Sequence, residues 1–99
     1  MDSIVQFDTS VCWLCDRFAT YGQPLDKHHC FGGAYRKKSE ALGLFVYLHH
    51  DECHIFGKDS AHQSAETALK IKQAAQLAAM QQYGWSTEDF IREFGKNYI

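Results

Sequence analysis

The feature that most constrains this chain is a split set of soft metal ligands. Cys12-Trp13-Leu14-Cys15 lies near one end, and His49-His50-Asp51-Glu52-Cys53-His54 lies in the middle. Two thiolates three positions apart can grip one tetrahedral ion, because a tight knuckle brings both sulfurs to about 2.3 Å from zinc. His49 and Cys53 stand four apart, as do His50 and His54, and on a helix such pairs share a face. One helical turn there offers two ligand faces about 100° apart. The spacing C-x2-C…H-x3-C supplies three sulfurs and one nitrogen from Cys12, Cys15, His49 and Cys53, a donor set that suits a closed structural zinc site. Cys30 is a substitute ligand or, as its place after two histidines suggests, a small buried hydrophobe. A fold that meets this constraint must bring two distant segments onto one ion.

Metal is also the use of cysteine that the setting favours. Met1-Asp2-Ser3-Ile4 lacks the basic and apolar regions of a signal peptide, so a cytosolic, reducing environment is expected. There, four cysteines point to metal or chemistry rather than to disulfides. A redox role for C-x-x-C wants a thioredoxin-like βαβ pattern, which the sequence lacks. The 99 residues read as one domain, 1–99, with a limited core. A structural zinc adds on the order of 10 kcal/mol or more to the folding of small metal-folded peptides. No apolar run reaches the ~18 residues of a membrane span, so no membrane partner is expected.

A second ligand group starts at Leu25-Asp26-Lys27-His28-His29-Cys30-Phe31-Gly32-Gly33. On a strand, His28 and His29 point to opposite faces. One ring can hold a metal while the other meets a different partner, such as a water. His28, His29 and His54, with His50 and His62 as further candidates, form an all-imidazole, partly open group. Such a site suits zinc, nickel or another divalent ion, and an open position is what metal-assisted hydrolysis requires. His29 stays off the metal; a neutral imidazole titrating near pH 6.5 can take a proton from water. Lys27, Arg36, Lys37 and Lys38 cluster around the pair, and no acid falls between Lys27 and Arg36. The net charge is only -2, so this local basic patch can still meet a phosphate backbone.

The element pattern is α+β. Residues 1–11 read as an extended lead-in and 16–24 as a loop ending at Pro24. Residues 25–31 read as the first strand of a hairpin, and Gly32-Gly33 permits a reversal. Residues 34–42 are helix-compatible, a short excursion between strands. Residues 43–48 form the clearest strand, after a glycine. A loop follows, with Ser60 as the candidate N-cap of a long helix over 61–83 that Gly84 closes. Ser86 and Asp89 form a capping box for a short final helix carrying Phe90, Ile91 and Phe94, which Gly95 ends. Ala68, Ile71, Ala75, Ala78 and Ala79 make a small-residue stripe that permits close packing, including self-association into a homodimer.

These motifs together resemble a family. The chain looks like a small HNH endonuclease of the ββα-metal, or His-Me finger, type, in the zinc-stapled form encoded by phages. The carriers are Cys12-x2-Cys15, Asp26 to Gly33, Arg36 to Glu40, Gly43 to Leu48, His49 to His54 and the ending Phe94-Gly95-Lys96-Asn97-Tyr98. The resemblance implies a ββα-metal core with its zinc knuckle over 12–62 and a helical part over 61–99. It implies hydrolysis of DNA phosphodiester bonds in a bacterial cytoplasm, from a phage or prophage gene. The catalytic ion would be Mg, Mn, Ni or Zn, beside a structural Zn. His29 matches the general base, His28 and His54 match catalytic metal ligands, and His62 completes that shell. Lys27, Arg36, Lys37 and Lys38 would contact DNA. His49 stands where a cysteine is usual, so the fourth zinc ligand is open between His49, His50 and Cys30. The family's middle asparagine is missing near the motif, where the only asparagine is Asn97, so another residue or a backbone carbonyl must orient His29. A non-catalytic, zinc-stapled DNA- or protein-binding module is the alternative.

Overall fold

The computed structural model describes residues 2–19 and 21–99; Met1, at the head of the expected lead-in, and Thr20, inside the expected 16–24 loop, lie outside them. Strands β1 (Asp26–His29) and β2 (Phe45–Leu48) pair antiparallel. Asp26 faces Leu48, Lys27 faces Tyr47, His28 faces Val46 and His29 faces Phe45. Directly opposite residues share a face. Asp26 and His28 therefore travel with the buried Val46 and Leu48, while Lys27 and His29 travel with Phe45 and Tyr47. Cys30 N still bonds Leu44 O at 3.0 Å, which lengthens the ladder slightly.

A single turn of 3-10 helix over Gly33–Tyr35 leads into α1 (Arg36–Ala41), so the excursion between strands is indeed short. Gly43 returns the chain to β2 with φ 76°, and a Cβ there would lie 2.6 Å from the Asp2 carbonyl oxygen. Both the conformation and the space demand glycine.

The N-terminal segment is not the extended lead-in that its weak alternation suggested. It bends around the Ser3 hydroxyl, which accepts from Val5 N (3.1 Å) and Gln6 N (3.0 Å). It then covers the outer edge of β2. Ser3 Oγ donates to Phe45 O (2.5 Å), Tyr47 N donates to the buried Gln6 Oε1 (2.7 Å), and Trp13 N donates to Tyr47 O (2.9 Å). Mostly side chains, not a third strand, close an edge that would otherwise stay open to another chain.

After β2 the chain makes a π-helical turn over His50–Ile55, in which His54 N bonds His49 O at 2.9 Å. The long helix α2 (Ala65–Tyr83) starts later than expected. Its cap is Ser64, whose hydroxyl accepts from Thr67 N at 3.1 Å, rather than Ser60, which is buried with its hydroxyl unpaired among the described residues. What holds 61–64 out of the helix is tertiary. Ala61 N donates to Cys53 O (2.8 Å) and His62 N to His54 O (3.0 Å), so this stretch lies against the π-turn. Gly84 ends α2 in the left-handed region, and Ser86 and Asp89 form the expected capping box of α3 (Thr87–Phe94).

Thr67, Ile71, Ala75 and Ala79 of α2 are buried at helical spacing, the last three in one cluster with Leu44, Val46 and Leu48. Much of the small-residue stripe is therefore used inside the monomer, with Ala68 and Ala78 half-buried beside it. Phe31, directly after Cys30, meets Phe94 at 4.5 Å and Phe90 and Tyr98 at 5.5 Å between ring centroids. The fully buried Gln76 latches the tail: its Nε2 donates to Asn97 Oδ1 and its Oε1 accepts from Tyr98 N, both at 2.8 Å. The C-terminal helices thus brace the residues that follow the double histidine. Among the described residues, no helix is long and apolar enough to cross a membrane.

Candidate metal centres

Cys12, Cys15, His49 and Cys53 converge, with their ligand atoms all within 4.8 Å of one another. Two bonds of about 2.3 Å to a shared ion span ~4.6 Å, so the group can hold a metal ion such as zinc. The knuckle is built locally. Asp16 N donates to Cys12 O at 2.9 Å, and Asp16 takes φ 60°, a left-handed state that aspartate tolerates. His49 Nε2 lies 2.9 Å from the Phe18 carbonyl, which accepts its proton and leaves Nδ1, 3.1 Å from Cys15 Sγ, as the ligand atom. Burial, then the neighbouring Cys12 and Cys15, push the Cys53 thiol up to about 12. Burial also works against the Cys15 thiolate, but hydrogen bonds led by those from Arg17 bring it down to about 6. Crowded sulfurs of this kind fit a cation among them. Cys30 is not a member: it is buried, with its thiol pushed up to about 12 by desolvation. His50 is not a member either, so His49 is the fourth residue of the group. All four cysteines are free thiols.

His28, His54 and His62 form a second group, again with ligand atoms within 4.8 Å. His28 comes from β1, His54 from the π-turn, and His62 from the stretch tied back to that turn. Asp26 Oδ2 lies 2.9 Å from His54 Nδ1 and 2.5 Å from His50 Nδ1. The carboxylate accepts the Nδ1 proton of His54 and leaves Nε2, 3.1 Å from His62 Nε2, as the inward atom. Burial, followed by the charges of His54, His62, His29 and Lys72, lowers the His28 pKa to about 4. Neutral rings with lone pairs turned together are what a divalent transition ion requires. The Asp26 carboxyl is itself partly desolvated, yet the His54 and His50 bonds hold it below the usual range.

His29 lies on the other face of β1 from His28. Its Nε2 lies 2.9 Å from Glu40 Oε1 on α1, and its ring lies 6.3 Å from that of Phe45. The His29 bond, aided by Lys27, keeps the Glu40 carboxyl low. His28, His29, His54 and His62 share an open cavity of about 420 Å³ with Lys27, Arg36 and Lys72.

The basic cluster is more divided than the sequence suggested. Lys27 lines the cavity, but its ammonium lies 3.3 Å from both Glu40 oxygens and 4.2 Å over the Phe45 ring. Lys37 is exposed on α1, outside the cavity lining. Lys38 leaves the site altogether: it donates to Glu93 O at 2.8 Å and lies over the Phe94 ring, joining α1 to α3. Asn97 is bound up in the Gln76 latch, and the side chain against His29 is Glu40. Sequence reasoning missed Asp26, Glu40 and Lys72. Only Asp26 left a local signal, since it precedes His28 by two positions and so shares its strand face.

Comparison with known proteins gave no matching family model, no matching curated protein and no matching solved structure.

Proposed function

We propose that the chain is a metal-dependent endonuclease of the HNH, ββα-metal type that hydrolyses DNA phosphodiester bonds. The observation that carries this reading is the split of two adjacent histidines. His28 joins His54 and His62 at one candidate ion site, while His29 opens on the same cavity with a carboxylate behind it. Cys12, Cys15, His49 and Cys53 would hold a structural zinc that pins the knuckle to the end of β2.

A divalent ion bound by His28, His54 and His62 would draw charge from the scissile phosphate and from the leaving oxygen. The chain's own residues do the rest. His29 takes a proton from an attacking water, whose oxygen bonds to phosphorus as the phosphorus–oxygen bond to the sugar breaks. The leaving oxygen then gains a proton from solvent. Arg36 and Lys72, both lining the cavity, hold flanking phosphates.

The test is nicking of supercoiled plasmid by the purified, zinc-retaining chain with Mg, Mn, Ni or Zn added. Nicking that needs the added ion and vanishes in His29→Ala, with the fold intact, is the expected result. Full nicking by His29→Ala would remove the base. The competing reading, a non-catalytic binding module, draws support from the pairing of Lys27 with Glu40 and Lys38 with Glu93, which diverts two cations from a phosphate backbone. It predicts DNA binding without cleavage under every ion.

A further inference from the structure

We propose that Glu40 is the positioning residue of His29, accepting its Nε2 proton so that Nδ1 is the atom left to take a proton from water. The inference deepens the nuclease reading, on which its kinetic consequence rests.

The contact is 2.9 Å from His29 Nε2 to Glu40 Oε1, within hydrogen-bond range. A carboxylate only accepts, so Nε2 must carry the proton, and a neutral ring then has its lone pair on Nδ1. The His29 side chain is only 14 % exposed, which limits competition from water on its side of the bond.

The backbone under Glu40 is fixed. Its neighbour Ser39 is fully buried, donates to Leu44 O at 2.5 Å and accepts from Phe31 N at 3.4 Å. Phe31 lies two residues beyond His29, and Leu44 directly precedes β2. One serine therefore clamps α1 across the end of the hairpin that presents His29. Lys27 lies on the same strand face as His29 and reaches both Glu40 oxygens at 3.3 Å. The carboxylate is held from two sides, and its charge is balanced before His29 gains a proton.

The consequence is orientation plus charge. A wandering ring would offer either nitrogen to water; a ring anchored at Nε2 offers one. A carboxylate behind the ring also stabilises the imidazolium formed when water gives up its proton. An incidental surface ion pair would do neither.

The experiment uses the full, zinc-retaining chain labelled with ¹⁵N. Above pH 7.5, His29 should show a protonated Nε2 and a bare Nδ1. Glu40→Met, which removes the acceptor from a half-exposed helix surface, should abolish that preference. Glu40→Gln keeps an acceptor oxygen and should restore it. With plasmid and Mn added, Glu40→Met should lower the saturating nicking rate about 10- to 100-fold and leave half-saturation within about twofold. A His29 tautomer unchanged in Glu40→Met, or an unchanged saturating rate, would overturn the assignment. Absence of nicking by the unmodified chain sinks the nuclease reading instead, and the nitrogen shifts then decide Glu40 alone.

Discussion

If Cys12, Cys15, His49 and Cys53 hold a zinc ion, stripping it should unfold this protein or leave it barely folded. Cys12 has no exposed surface, and its knuckle is continuous with the segment that covers β2 through Gln6 and Trp13. Releasing Cys12 and Cys15 from His49 and Cys53 therefore frees that whole edge of the sheet. At about 0.05–0.15 kcal/mol per residue, a chain of this size holds roughly 5–15 kcal/mol in all. Structural zinc is worth about 10–16 kcal/mol in zinc-finger peptides. If only about a third of that is realised here, the loss is ~4 kcal/mol, and at 4–8 °C per kcal/mol the midpoint falls by roughly 16–32 °C. Chelator-treated protein should show that lowered midpoint, or no cooperative melt, by circular dichroism, and added zinc should restore the original transition. Cys12→Ser should behave like the chelated form. A preparation proven zinc-free by elemental analysis that melts within about 3 °C of the untreated protein, against a shift of 4–8 °C per kcal/mol, would refute the reasoning.

Asp26→Asn removes the charge behind His54, so added Ni or Mn should bind about 10- to 100-fold more weakly by calorimetry, with the structural zinc retained. Phe94→Ala opens a hole among Phe31, Phe90 and Tyr35, and urea unfolding should register a loss of about 3–5 kcal/mol. Backbone and side-chain hydrogen bonds of Ser86 hold the Asp89 carboxyl low, so the folded chain binds fewer protons there than the unfolded chain. Its help to α3 is complete above the ordinary carboxylate range and fades as pH drops through the lowered value. Asp89→Asn should accordingly narrow the gap in melting midpoint between pH 7 and pH 3; a gap of unchanged width would remove Asp89 from acid sensitivity.

Much of the sulfur site was legible because ligand spacing is local chemistry. Cys12-x2-Cys15 and His49-x3-Cys53 state their donor types outright, and only the choice of His49 over His50 and Cys30 depends on the fold. The opposite facing of His28 and His29 follows from strand alternation alone. The start of α2 was not legible. Residues 61–64 carry no breaker, and they leave the helix because Cys53 and His54 carbonyls capture their amides across a gap in sequence. Lys38 could have been excluded: on a helix it stands ~200° from Arg36, on the opposite side. Glu40 could not have been found, since its meeting with His29 depends on how α1 folds back between the strands.

The hairpin has a lineage consequence. Because side chains alternate with a period of two, deleting or inserting one residue in Asp26–His29 would swap which ring turns toward His54 and His62 and which toward Glu40. Point replacements can tune each ring separately, but a frame shift within β1 exchanges their surroundings. Descendants of this chain should therefore vary freely in the length of the segment between the strands and hardly at all in the length of β1.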